Sequence, residues 1–396
     1  MKEFLQSSLD YTANTPLEHR KKNGQYMTPR AVSSLLLDRL PIKPGDKVLD
    51  PAVGTGELLY AASERVPDAV YEGWDIDENI LSYTKPQENI SFAQKDALSL
   101  DASPTYDVII ANPPYFEFKL SAEQKRKFLP VIGGRVNIFS LFFYQSMNLL
   151  KDGGYLGFIV PPSMNNGAYF KNLRRWLLAE AELQDLLVIS KSDHFIDAQT
   201  AAQIIVFQKK QGPKNHQFVF SSTDKSNGSD TPIFTSDVEY LRNAWQGKQS
   251  LWDLGYVALT GSVPWNLYKG KFLSEGVPLI YSKDIALDGS VVLSPKLADR
   301  RYLPEGIPGQ VSSPAIVVNR ITGSVGSGAL RAAIYRGGAF YGENHVNVIL
   351  PRQGVEPAVS VDDLYHRVRD VDGGYLGLLT GNTQISAKEL SHHIPF

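Results

Sequence analysis

Between residues 44 and 210 the apolar positions follow two alternating rhythms. Short, nearly unbroken apolar runs, "KVLDPA", "AVYEGWDID", "ISFAQKDA" and "YDVIIANPP", predict buried strands. Between and after them, apolar residues recur every three or four positions in "GTGELLYAASERV", "ENILSYT", "NIFSLFFYQSMNLL" and "YFKNLRRWLLAEA", which predict helices. The "KDGG" after the third helix predicts its C-cap and leads into the strand "YLGFIVP". "LQDLLVIS" and "AAQIIVFQKK" complete the series. Strands and helices in alternation predict a doubly wound, mainly parallel α/β sheet. In "LRRWLL", the spacing turns Leu173, Trp176 and Leu177 toward that sheet and its arginines outward.

After Lys210 the rhythm breaks. "QGPKNHQFVFSSTDKSNGSDTP" is rich in Ser, Asn, Gly and Asp and reads as a linker with one short strand. Residues 231–396 are punctuated by Gly and Pro, with short strands such as "AIVVNR" and "VNVIL", and predict a second, mixed α+β domain. The expected layout is an N-terminal extension (1–22), a first domain (23–210), a linker (211–230) and a second domain (231–396).

Composition removes several classes of function. The 396 residues contain no cysteine, so disulfides, thiolate zinc sites and cysteine nucleophiles are excluded. His392 and His393 have no partners at ligand spacing, and no metal is expected. The N-terminus lacks the apolar core of a signal peptide, and no apolar run is long enough to span a bilayer. A cytoplasmic protein with no membrane contact is expected. The net charge is only −2, so any nucleic-acid site must be a local cluster of cations.

Candidate chemistry collects at the ends of the predicted strands. In "VLDPAVGTGELL", Gly54 and Gly56 let the backbone turn tightly and approach a ligand between strand and helix. Asp75 ends the next strand, where a carboxylate takes a ribose diol. Asp77 is its rival, or a helix cap. Asp96 ends the third strand. With Asp50, these acids suit a ligand carrying an ammonium, ribose hydroxyls and an adenine amine, as S-adenosylmethionine does. The third glycine of a dinucleotide loop is absent. The fourth strand delivers Asn112, Pro113, Pro114 and Tyr115. An amide oxygen and a Pro carbonyl can accept two hydrogen bonds from a planar amine stacked on the Tyr ring. That aims the nitrogen lone pair at a methyl donor.

These motifs, in this order, resemble the TaqI-like gamma class of N6-adenine DNA methyltransferases, restriction–modification enzymes with a C-terminal target recognition domain. "GQYMTP" (24–29), "DPAVGTG", Asp75, Asp96, "NPPY" and the helix beginning at Asn137 carry the resemblance across residues 24 to about 210. It implies the S-adenosylmethionine-dependent, Rossmann-like methyltransferase fold. The cofactor set it implies is Thr28, Asp50, Pro51, Ala52, Gly54, Gly56, Asp75, Ile76, Asp96, Ala97 and Asn112. The catalytic set is Asn112, Pro113, Pro114 and Tyr115, with Phe195 as second stacking aromatic against an adenine flipped out of duplex DNA. Residues 231–396 resemble target recognition domains, where Lys269, Lys283, Arg320 and Arg331 are candidate DNA contacts.

The implied partners are double-stranded DNA and a cognate restriction endonuclease, for a monomer or weak dimer. Three other readings stay open: N4-cytosine methylation, methylation of protein glutamine or RNA amines, and a non-catalytic DNA-binding subunit with a degenerate methylase fold.

Overall fold

The computed structural model describes residues 4–189, 202–320, 330–379 and 384–396. Two units emerge: residues 1–220 with 232–238, and residues 221–231 with 239–396.

The first unit opens with helices α1 (Gln6–Asn14), α2 (Leu17–Lys22) and α3 (Arg30–Leu37). Then follow β1 (Lys47–Asp50), α4 (Glu57–Arg65), β2 (Val70–Asp75), α5 (Glu78–Leu81), β3 (Ile90–Gln94) and β4 (Tyr106–Ala111). Next come α6 (Ala122–Lys127), α7 (Ile138–Leu149), β5 (Leu150–Val160), α8 (Lys171–Glu180), β6 (Ala181–Ile189) and β7 (Ala202–Lys209). One seven-stranded sheet results, in the order β3-β2-β1-β4-β5-β7-β6. All neighbours are parallel except β7, which runs antiparallel to both β5 and β6. This is the sheet of the S-adenosylmethionine-dependent methyltransferases. Its chain order reverses direction at β1/β4, the switch point where ligands bind beyond the C-terminal strand ends.

Burial explains the sheet. Val108, Ile109, Ile110 and Ala111 of β4 are at most 1% exposed, as a central strand covered on both faces requires. One face packs Leu36, Leu58 and Leu59; the other packs Phe139, Phe143, Phe158 and Phe207. The Phe143 and Phe158 rings lie 4.7 Å apart.

Two local expectations need correcting. "KDGG" does not cap α7: the helix passes directly into β5, and Gly153 (φ 82°) sits at a register shift inside that strand. Of the two arginines in "LRRWLL", Arg175 is exposed but Arg174 is wholly buried. Arg174 donates to the carbonyls of Pro232 (2.7 Å), Met164 (2.7 Å) and Gly167 (3.0 Å). A guanidinium can be buried when its N–H groups find acceptors, and the turn after β5 together with Pro232 supplies them.

The chain passes between the units at the hairpin of β8 (Val219–Asp224) and β9 (Ser229–Phe234). The second unit contains β10 (Tyr256–Thr260), β11 (Val277–Ile280), β12 (Tyr302–Leu303), β13 (Gln310–Ser312), β14 (Ala315–Asn319), β15 (Ala332–Tyr335), β16 (Ala339–Gly342) and β17 (Val346–Pro351). They form two four-stranded sheets, β10-β17-β14-β15 and β12-β11-β16-β13. Among the described residues, no helix is long and apolar enough to cross a membrane.

Candidate active site

The loop from β1 to α4 starts at Asp50, whose carboxylate accepts from the Ala52 amide at 3.0 Å. Gly56 caps α4 at φ 88°, and a Cβ there would lie 2.6 Å from the Tyr60 ring, so only glycine fits. At the tip of β2, Asp75 accepts from the amides of Gly54 and Asp77, both at 3.0 Å. It thus ties the glycine loop to the next turn and keeps lone pairs for a ligand. Asp77 caps α5 through the Asn79 amide and also accepts from Gln25 Nε2 at 3.0 Å. Beyond β3, Asp96 caps its own turn through the Leu98 amide (3.0 Å).

Between these strand tips lies a cavity of 450 Å³, a size suited to a nucleoside-bearing ligand. Pro51, Ala52, Gly54, Asp75, Ile76, Asp96, Ala97 and Asn112 line it, with Phe116, Phe118 and Phe142 supplying apolar wall. A smaller recess shares Ala52, Gly54 and Asn112 with it and adds Thr28 and Asp50. Every residue of the predicted cofactor set except Gly56 therefore faces one of the two hollows. The lining combines carboxylate acceptors (Asp75, Asp96) with apolar side chains (Ile76, Phe142), the mixture that a nucleoside-bearing ligand requires.

Burial sets the electrostatics. Asp50 is 2% exposed and its pKa is pushed up to about 8: desolvation is the main cause, the Ala52 hydrogen bond opposes it and the nearby Asp75 adds to it. Asp75 is also raised, again by desolvation first. Raised pKa values at a strand tip mark a site where a bound ligand can shift the protonation state.

At the tip of β4, Asn112 is held at its amide nitrogen. Nδ2 donates to the Tyr26 carbonyl (3.2 Å) and to Thr28 Oγ1 (3.0 Å). This fixes Oδ1 as the free acceptor of the side chain. The Tyr115 hydroxyl now lies against it and also 2.6 Å from the Ile159 carbonyl, so its single proton is shared between these two acceptors. Burial raises the phenol pKa well above 10, so it stays a donor. The Tyr115 ring packs edge-on to Phe139 and lies nearly parallel to Tyr26, at an 18° interplanar angle and 6.2 Å between centroids. Asn137 caps α7 through the Phe139 amide. Phe195 lies outside the described residues.

Sequence reasoning passed over three contributors. Tyr26 sits in the "GQYMTP" segment, where attention went to Thr28. Gln25 accepts from the Tyr11 hydroxyl at 2.7 Å and passes that contact to Asp77. The segment read as an extension, residues 1–22, belongs to the first unit: Tyr11 is fully buried, and Ser8 donates to the buried Glu57 at 2.6 Å. An isolated polar helix such as α1 has no strong periodic signal, which is why its packing was not legible.

In the second unit, Lys269 is exposed and lies 5.3 Å from the Trp265 ring. Lys283 and Arg331 are exposed. Arg320 donates to the Asn344 carbonyl at 3.0 Å, and His345 Nδ1 pairs with the buried Glu343 at 2.9 Å. Arg320 and Arg331 flank the same strand pair, where the Asn319 amide donates to the Arg331 carbonyl at 2.9 Å. Among the described residues, no group of His, Asp and Glu is arranged to hold a metal ion.

Comparison with known proteins places the chain. Residues 61–195 match the family described as Eco57I restriction-modification methylase. Modification methylase CviBIII of Paramecium bursaria Chlorella virus NC1A is 24% identical over 98% of both chains. Type II methyltransferase M.AccI of Acinetobacter calcoaceticus is 30% identical over 50% of this chain and 39% of its own. A solved S-adenosylmethionine-dependent methyltransferase from Listeria monocytogenes aligns at 22% identity and TM-score 0.44, covering 52% of this chain and 67% of that one. The sheet order and the strand-tip motifs are those of the S-adenosylmethionine-dependent methyltransferase fold, and by sequence the chain is similar to restriction–modification DNA methyltransferases.

Proposed function

We propose that the protein transfers a methyl group from S-adenosylmethionine to the 6-amino group of an adenine flipped out of duplex DNA. The observation that carries this reading is that Asn112, Pro114 and the acids Asp75 and Asp96 open onto one cavity. An amine acceptor and a nucleoside site therefore share a wall. Bound there, S-adenosylmethionine supplies an electrophilic methyl group on a sulfonium.

The chain's own residues do the positioning. Asp75 takes the ribose hydroxyls, Asp96 the adenine amine of the cofactor, and Asp50, with Thr28 beside it, the ammonium end. Asn112 Oδ1 and the Pro113 carbonyl accept the two N–H groups of the target amine, while Tyr115 stacks the base. Phe195 is the proposed second face of that stack. The two hydrogen bonds draw the nitrogen lone pair out of conjugation and toward the methyl carbon. The methyl would be exchanged for the amine's surplus proton, which passes to solvent while Asn112 and the Pro113 carbonyl hold the nitrogen, and the cofactor would leave as the neutral thioether. The protonated Tyr115 cannot act as the base, so positioning and electrostatics carry the catalysis. Adenine must leave the helix to reach this depth, and stacking offsets part of the unpairing cost.

Asn112 suits an adenine amine. The amide is pinned by Tyr26 and Thr28, so its oxygen holds one orientation. The second unit, with Lys269, Lys283, Arg320 and Arg331, would select the sequence. The test is methyl-labelled cofactor with duplex DNA, followed by digestion and nucleoside chromatography. Label in N6-methyladenine is the expected result; label in N4-methylcytosine alone, or none in DNA, overturns the reading.

A further inference from the structure

Between Tyr115 and α7 the chain makes an excursion, residues 117–137, that the mechanism above leaves unused. Its neck is closed by backbone pairing: the Phe118 amide donates to the Val136 carbonyl (2.8 Å) and the Ile138 amide to the Phe116 carbonyl (3.0 Å). Phe116 and Phe118, at that neck, are walls of the cavity. Whatever the excursion holds is therefore held within a few residues of Asn112 and Tyr115.

The excursion is charged on its outside and braced on its inside. It contains Lys119, Lys125, Arg126, Lys127 and Arg135 against only Glu117 and Glu123. Lys127 is spent internally, donating to the carbonyls of Leu98 (2.8 Å) and Leu100 (2.9 Å). Lys119, Lys125, Arg126 and Arg135 are exposed, and none has an ion-pair partner among the described residues. Bracing comes from two sides. Ser121 and Gln124 form a capping box that starts α6. On the other arm, Gly134 turns at φ 65° against the Tyr169 ring, where a Cβ would come within 2.6 Å, and Asn172 Nδ2 donates to the Ile132 carbonyl at 2.7 Å. Arg135 follows directly on that turn. Unpaired cations of one sign on a braced segment suit contacts to a phosphate backbone.

We propose that residues 117–137 form a phosphate clamp in which Lys125, Arg126 and Arg135 hold the backbone of duplex DNA beside the nucleotide that enters the cleft. The proposal rests on the DNA reading above and assigns the first unit its own share of DNA affinity. Phosphate contacts fix register without reading sequence, which suits an element next to the reacting base.

The test is fluorescence anisotropy of the full chain with a random-sequence duplex of about 30 base pairs, from about 50 to 200 mM salt. The variant is Lys125→Ala/Arg126→Ala/Arg135→Ala. Each lost phosphate contact flattens the log–log salt slope by ~0.9, so three contacts flatten it by ~2.7. Over a fourfold rise in salt, wild-type affinity then falls about 40-fold more than that of the variant. Cofactor binding by calorimetry stays unchanged in the variant. An unchanged slope with intact cofactor binding overturns the clamp. Should the triple variant fail to bind cofactor, the single Arg135→Gln carries the same test, with an expected slope change of ~0.9. Methyl transfer by the wild type is read separately: a flattened slope without any DNA methylation sinks the proposed activity and keeps the clamp, and the reverse sinks the clamp alone.

Discussion

Asp50 gives the sharpest test of the cofactor assignment, because burial dominates its behaviour. At 2% exposure its pKa stands at about 8, so near pH 7 roughly one protein in ten carries the charge. A bound ammonium would pull that pKa far down. Binding below pH 8 must then release a proton, and affinity should rise by up to about tenfold per pH unit from roughly pH 6 to 8, or about 1.4 kcal/mol per unit. Above about pH 8 the ligand's own α-amino group loses its proton, so affinity should peak there and fall again. Asp50→Asn keeps an acceptor but cannot ionise. The variant should lose the acid limb, matching the wild type near pH 6 and falling behind it by up to about 100-fold near pH 8. Calorimetry with S-adenosylhomocysteine, which keeps the ammonium, in buffers of different ionisation enthalpy counts the protons directly. The wild type should release about one at pH 7 and the variant none. Equal proton release by both proteins, or a wild-type affinity flat between those pH values, would refute the placement of Asp50 against the ammonium.

Three other expectations follow from the same geometry. Asn112→Ala should abolish methyl transfer while cofactor affinity stays within a few-fold, read by label transfer and calorimetry; equal loss of both contradicts its role as amine acceptor. Tyr115→Phe removes the hydroxyl that occupies Asn112 Oδ1 and should favour the flipped base by about 1 kcal/mol, near fivefold, in 2-aminopurine fluorescence. Tyr115→Ala should move the same signal the other way by roughly 1–3 kcal/mol, because the stacking face is gone. Arg174→Met leaves the carbonyls of Met164, Gly167 and Pro232 without their donor and should cost about 3 kcal/mol in urea unfolding; a change under about 1 kcal/mol would mean that water replaces the guanidinium.

The strand-tip chemistry was legible because proline and glycine punctuate it. "DPAVGTG" and "ANPPY" stop their strands at fixed residues, and that places Asp50 and Asn112 at one sheet edge before any packing is known. Strand direction was not legible at β7. A run such as "AQIIVFQ" buries equally well parallel or antiparallel, and only its antiparallel pairing with β5 and β6 decides it. "KDGG" misled for a related reason: two glycines serve a register shift in a strand as readily as a helix cap, and local sequence does not distinguish them. Arg174 was misread because helical spacing reports which face a residue occupies, not whether carbonyls wait there for its N–H groups. In the second unit, "AIVVNR" and "VNVIL" pair directly as β14 and β17, whereas the shorter β12 and β13 carry too few residues to show a period.

The bond between the Tyr115 hydroxyl and Asn112 Oδ1 bears on how such a site rests between turnovers. An open amide oxygen inside a half-buried cleft costs desolvation unless something donates to it. Water or the target amine could do so, but Tyr115 is already there, three residues along the chain, and its raised pKa keeps it a donor at any physiological pH. The same side chain therefore satisfies the acceptor in the absence of a base and, on the proposed function, would offer its ring when one arrives. The exchange is close to balanced, one hydrogen bond to Oδ1 for another, so the incoming amine pays little to displace the phenol. What remains to drive base capture is stacking and the grip on the flanking backbone. That division explains why a catalytic tip with no formal charge of its own would be fenced by the cations of residues 117–137.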